Sequence, residues 1–153
     1  MEGIKKYCGE KPKKRNVAVV VFYNKSRNIL LQKRSGKVSK HGEDWGFFGG
    51  RIEKGENPEE TLKREIKEEL NYDLNDFEHI GTYENQYYNK KQGAQRLIHR
   101  EIFVAPINNE ILDSPVLEGD ELKLFSINEA KGLNLIPGDI RVLEKAEDYL
   151  KTR

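Results

Sequence analysis

Between Gly50 and Tyr72 the chain reads GRIEKGENPEETLKREIKEELNY, and this stretch admits few folds. Asn57-Pro58-Glu59-Glu60 carries the signals of a helix start: Asn as N-cap, Pro at the first helical position and Glu at the third. Leu62, Ile66 and Leu70 recur every fourth residue and form one packing stripe. The predicted helix must therefore lie with that stripe against a core. Glu65, Glu68 and Glu69 then fall on its border, within an arc of about 100°. Carboxylates so placed repel one another by a few tenths of a kcal/mol per pair. Two readings explain them. One is a solvated face laced by charge pairs, for which Arg64 lies four residues before Glu68. The other is a divalent cation, since Mg²⁺ and Mn²⁺ favour carboxylate oxygens shared with water and phosphate.

The surroundings of the acids extend the pattern. Gly49 and Gly50 are adjacent, and Gly55 and Glu56 lie in the segment before the helix. The string runs Gly50, five residues, Glu56, seven residues, Arg64-Glu65-Ile66, one residue, Glu68-Glu69. It closely resembles the Nudix box, the signature of the Nudix hydrolases, over 23 of the 153 residues. One position departs: Asn71 stands where the family has Gly, and Tyr72 fills the final bulky position. Asn tolerates a left-handed backbone better than other residues with a side chain, so a helix C-cap is expected to survive the change.

The resemblance implies an α/β (α+β) fold, a Nudix-type α/β/α sandwich with a central mixed sheet and a loop–helix–loop motif. It implies a Mg²⁺-dependent hydrolase, with Mn²⁺ as substitute. The reaction is cleavage of the pyrophosphate bond in a nucleoside diphosphate linked to X, giving a nucleoside monophosphate and phosphorylated X. Candidate substrates are nucleoside triphosphates, dinucleoside polyphosphates and nucleotide sugars. On the same basis Glu65, Glu68 and Glu69 are the expected metal ligands, with carbonyl oxygens of Gly49 or Gly50 beside them. Glu65 and Glu68 are also expected to be catalytic. Arg64 is expected to fix carboxylates such as Glu56 through charge-assisted bonds. Glu118, ahead of a predicted strand at Leu122–Phe125, is the first candidate for general base, with Asp120 and Glu121 behind it. Arg34 and Arg51 are candidate phosphate ligands. Tyr88, some sixteen residues past the box, is the candidate aromatic contact, with Tyr87 beside it. His41, His79 and His99 show no spacing of a zinc site or a triad. Two alternatives stand beside the small-nucleotide hydrolase: a Nudix-fold module that binds nucleotide without turnover, and an RNA cap hydrolase.

The rest of the chain is compatible with this reading. Val17–Tyr23 and Ile29–Arg34 read as strands, as do Phe77–Tyr88 and Arg96–Ala105, paired as a hairpin. Trp45–Phe48 is a short aromatic run. Ile127–Ala130 reads as a brief helix and Pro137–Leu150 as a closing one. The basic segment 1–15 reads as a lead-in, flexible or guiding a polyanion, and 16–153 as a single domain. The formal net charge of +1 gives no global argument for nucleic acid or membrane. Cys8, the single cysteine, suits a reducing compartment, and no apolar run reaches a membrane span, so a cytoplasmic protein is expected. Family members are often dimers, which makes a homodimer a further expectation, although no exposed apolar stripe stands out.

Overall fold

The structure is a computed structural model, and it describes residues 13–33, 45–90, 92–113 and 121–153. In chain order the elements are β1 (Lys13–Tyr23), β2 (Ile29–Lys33), β3 (Trp45–Gly46), β4 (Phe48–Arg51), α1 (Pro58–Leu70), β5 (Glu78–Asn89), β6 (Ala94–Pro106), α2 (Asn109–Asp113), β7 (Leu122–Phe125), α3 (Ile127–Lys131) and α4 (Asp139–Lys151). The strands form one mixed sheet in the order β3-β2-β1-β6-β5, with β4 also paired to β1 and β7 to β2. Only β1 and β6 run parallel, and they do so over the whole length of β1.

Alternation along β1 and β6 supplies two cores from one sheet. Val19, Val21, Ile102 and Val104 point to one face and pack with Val142, Leu143, Ala146 and Leu150 of α4. Ala18, Val20, Phe22, Phe103 and Ala105 point to the other and meet Leu62, Ile66 and Leu70 of α1. The α1 stripe is fully buried, each side chain contributing about 1.5–3 kcal/mol. The result is the expected α/β/α sandwich, with a mixed sheet between α1 and α4. No helix among the described residues is long and apolar enough to cross a membrane.

Both ends of α1 follow the sequence logic. The Asn57 side chain accepts from the Glu60 N–H at 2.8 Å, and the Glu60 carboxylate accepts from the Asn57 N–H at 2.9 Å. Such a cap is worth about 1 kcal/mol. Asn71 closes the helix in the left-handed region at φ 52° and ψ 40°, and its N–H returns to the Lys67 carbonyl. The substitution of Asn for Gly therefore preserves the cap.

Strand β1 departs from expectation at its start. It opens at Lys13, four residues before the predicted Val17, and pairs Lys13, Lys14 and Arg15 with Arg96, Leu97 and Ile98. These three residues therefore belong to the sheet. Their exposed basic side chains hid the strand, because it runs beyond the cover of either helix. The short α2 was also not anticipated.

Candidate active site

Arg64 organises the acidic border of α1. Its Nε donates to Glu56 Oε2 at 2.7 Å and its Nη2 to Glu56 Oε1 at 3.0 Å, a two-pronged pair. Its Nη1 reaches Glu65 Oε1 at 3.1 Å and Glu68 Oε1 at 3.6 Å, while Nη2 also donates to the Arg51 carbonyl at 3.1 Å. One guanidinium thus ties the loop, the helix and strand β4 together. The Glu56 carboxyl is held down at about 2, first by the hydrogen bond from Arg64, then by the Glu53 N–H and the Thr61 hydroxyl. The same bond to Glu56 raises Arg64 above its ordinary value.

The paired glycines let the helix approach the sheet. At Gly50 an added Cβ would lie 2.3 Å from Cδ and Oε1 of Glu65. The Glu65 carboxylate therefore occupies the space a side chain would fill. Gly49 has φ +138°, and a Cβ there would fall 2.0 Å from the Ala18 carbonyl oxygen. Glu69 differs from its neighbours: it is buried, 7% exposed, on the inner edge of the helix. Its Oε1 accepts from the Gly49 N–H at 3.1 Å, and its Oε2 from Gln32 Nε2 at 3.4 Å. Gln32, itself buried on β2, also donates to the Phe47 carbonyl at 3.3 Å. Sequence reasoning did not find Gln32. Its only signal was a polar residue following the apolar run Ile29–Leu31.

These donors suit a hard divalent cation by chemistry, being carboxylate oxygens beside backbone carbonyls. Among the described residues, no three acids or imidazoles are gathered around one point as they stand. Arg64 Nη1 lies between Glu65 and Glu68, at 3.1 and 3.6 Å. The Glu68 side chain is 52% exposed, so it can turn without disturbing the core.

A cleft of about 440 Å³ opens beside Gly49, Gly50 and Arg51, on the α4 side of the sheet. Its size is that of a small-molecule site. The floor carries a buried ion pair, Arg100 Nε to Asp139 Oδ1 at 3.3 Å. Arg100 also donates to the Asn85 side chain, and to the Pro137 carbonyl at 3.0 Å. Gly138, at φ +96°, leaves room for this cluster, since a Cβ there would come within 2.7 Å of both Arg100 Nη2 and Asn85 Oδ1. Lys13, Lys14, Arg15, Arg51 and Arg96 line the walls, with Tyr87, Asn89 and Gln92. Lys14 pairs with Glu84 at 3.2 Å. Among the described residues no carboxylate pairs with Lys13, Arg15, Arg51 or Arg96.

The expected site residues divide accordingly. Gly49, Gly50, Arg64, Glu65, Glu68 and Glu69 come together, and Arg51 joins them at the cleft mouth. Arg34, Glu118 and Asp120 lie outside the described residues, as does His41. Glu121 is exposed and lies 4.0 Å from Lys33. Tyr88 is 52% exposed and is absent from the cleft lining, whereas Tyr87 is part of it. Successive strand residues face opposite sides of the sheet, so only one of the two tyrosines can reach the cleft. His79 and His99 sit on the opposite face of the sheet from the cleft, as surface histidines. Both share the Glu101 carboxylate, and His99 also contacts Glu84 at 2.7 Å.

The chain is similar to known proteins over most of its length. The NUDIX domain family model matches residues 12–146. The CTP pyrophosphohydrolase of Escherichia coli (strain K12) is 28% identical over 126 residues, covering 82% of this chain and 87% of that protein. The 8-oxo-dGTP diphosphatase of Proteus vulgaris is 39% identical over 62 residues, 40% of this chain and 54% of that protein. The chain thus spans about half the length of this second relative. The solution structure of the E. coli ORF135 protein is similar with a TM-score of 0.73 and 26% identity, covering 93% of this chain and 94% of that one. With its acidic helix, paired glycines and most of its length under the family match, the chain belongs to the Nudix family, and the relatives named here are a diphosphatase and a pyrophosphohydrolase, hydrolases that act on acid anhydrides.

Proposed function

We propose that this chain is a Mg²⁺-dependent pyrophosphohydrolase of nucleoside triphosphates, releasing a nucleoside monophosphate and pyrophosphate. The observation that carries the reading is the junction of the acidic border of α1 with the cleft at Gly50 and Arg51, where the Arg51 guanidinium has no carboxylate partner among the described residues. A polyphosphate supplies the counter-charge that this guanidinium lacks. The relative named CTP pyrophosphohydrolase, which aligns over most of the chain, supports a triphosphate over other nucleoside diphosphate derivatives.

Glu65, Glu68 and Glu69 would hold the cation, with the Gly49 or Gly50 carbonyl. Bound there, it would neutralise phosphoryl charge and make water a better nucleophile. Glu56 keeps Arg64 in place, and Arg64 in turn orients Glu65 and Glu68. Arg51 binds a phosphate at the mouth. The attacking water forms a new P–O bond, the bridging P–O bond breaks, and the electron pair leaves with the departing phosphate. The water's proton passes to a carboxylate; Glu118 keeps that candidacy from its place in the sequence, and Glu65 is the alternative within the described site. The nucleoside lies over the Arg100–Asp139 floor, where Asp139 offers a polar edge to a base.

The test is a panel of nucleotides with Mg²⁺ and identification of products. Glu68→Gln is expected to lower turnover by about 100-fold or more, the equivalent of several kcal/mol of charge stabilisation. Wild-type turnover in that variant, or nucleotide binding without any phosphorylated product, would contradict the proposal.

A further inference from the structure

The cations of the cleft extend well past the box. On β1, Arg15 and Lys13 share the cleft face, three and five residues before Ala18, which pairs with Gly50. At about 3.3 Å per residue they lie about 10 and 17 Å from the Glu65 end. Arg96 is the partner of Lys13 across the β1–β6 ladder, and Tyr87 is the partner of Arg96 on β5. Lys13, Arg96 and Tyr87 therefore form one row across the sheet, with Arg15 a row nearer the box.

Arg100 is the partner of Val17, so the cleft floor lies level with the Glu65 end, and Arg15 and Lys13 stand two and four residues, about 7 and 13 Å, beyond it along β1. If the substrate's scissile bond lies at Glu65 and its nucleoside over the Arg100–Asp139 floor, the row reaches beyond the sugar. That far end faces no acid: Lys13, Arg15 and Arg96 have no carboxylate partner among the described residues. By contrast Arg64, Arg100, Arg141 and Arg153 are each paired with one. Arg96 is further held by Gln92 Oε1 at 2.7 Å and the Gln95 carbonyl at 3.1 Å, which orients its guanidinium.

We propose that Lys13, Arg15 and Arg96 form a second anion subsite that takes a phosphate ester on the 3′ side of the substrate's sugar. Two sources share this chemistry: the first phosphodiester of an oligonucleotide with a 5′-triphosphate, and the 3′-phosphate of a small nucleotide. Tyr87, beside Arg96, offers a stacking face to a second base in the first case. The inference rests on the pyrophosphohydrolase reading for the direction of the substrate.

The experiment compares a 5′-triphosphate nucleoside, its 3′-phosphorylated form and 5′-triphosphorylated di- and tetranucleotides. The wild type is expected to favour the 3′-extended substrates by about tenfold in kcat/KM, chiefly through KM. Equal gains for the 3′-phosphate and the oligonucleotides support the small nucleotide as source; a further gain with length supports the strand. Lys13→Ala/Arg15→Ala/Arg96→Ala should erase the preference while leaving the plain triphosphate within about threefold, because Arg51 and the box are intact. Lys13→Ala/Arg15→Ala serves if the triple variant is poorly folded. Binding of a labelled 5′-phosphorylated tetranucleotide without divalent cation tests the subsite apart from chemistry. The triple change should lower the slope of log affinity against log salt by about 2. No 3′ preference in the wild type, or an equal loss on plain and extended triphosphates, overturns the subsite. Absence of hydrolysis on every substrate would defeat the pyrophosphohydrolase reading, and the salt slope would still decide whether the three cations bind a strand.

Discussion

Gly50→Ala probes the active-site geometry with a single methyl group. The new Cβ would stand 2.3 Å from Cδ and Oε1 of Glu65 and 2.8 Å from its Cγ. Ordinary carbon contacts begin near about 3.5 Å, so the Glu65 carboxylate must move by about 1 Å. Gly50 has no positive φ, so the strand itself tolerates alanine. The atoms displaced are the end of a side chain, and the thermal midpoint should shift by only a few degrees. Activity should suffer far more, since a 1 Å misplacement of a reacting group costs on the order of 100-fold. The assay is steady-state hydrolysis of a nucleoside triphosphate across a Mg²⁺ titration, with a parallel melt. Adding Glu65→Asp shortens the side chain by about 1.5 Å and should restore part of the lost rate. A Gly50→Ala protein within threefold of wild-type kcat would refute the view that Glu65 must lie against β4. A melt showing that the protein has unfolded would refute the view that the strand tolerates alanine.

Asn71→Ala places a β-carbon in the left-handed C-cap and should destabilise the fold by about 1 kcal/mol, whereas Asn71→Gly should be close to neutral; chemical denaturation reads both. The Glu56 carboxyl, held at about 2 against an ordinary value of 4.5, binds its proton more weakly folded than unfolded. Its clamp on Arg64 is thus fully stabilising above about pH 5 and is lost as pH falls from there toward 2. The stability gap between wild type and Glu56→Gln, followed by thermal melts, should close over that window; a gap unchanged down to pH 2.5 would count against the clamp. Tyr87→Ala should raise KM for a 5′-triphosphorylated dinucleotide several-fold, while Tyr88→Ala leaves it unchanged. The reverse ranking would place the cleft on the wrong face of the sheet.

Features that join residues a few positions apart are legible in the amino-acid order. Asn57, Pro58 and Glu60 announce the start of α1, Leu62, Ile66 and Leu70 its buried face, and Asn71 its end, because helix geometry relates them through local hydrogen bonds and a fixed 100° turn. The acids follow from the same period. Tyr87 and Tyr88 are legible only in part: a strand implies that they face opposite ways, but not which face carries the cleft.

The amino-acid order alone determined that one helix carries Glu65, Glu68 and Glu69 on its rim, that Arg64 accompanies them, and that a hairpin follows. Tertiary packing decided the rest. It buried Glu69 against Gln32 and Gly49, and set Arg100 on Asp139 as a cleft floor. It also turned Lys13 and Arg15 from an expected lead-in into the wall of that cleft. Such partners stand far apart along the chain, and their meeting depends on which strands pair and in which register. That choice is made by the summed burial of two cores, and no short run of residues encodes it.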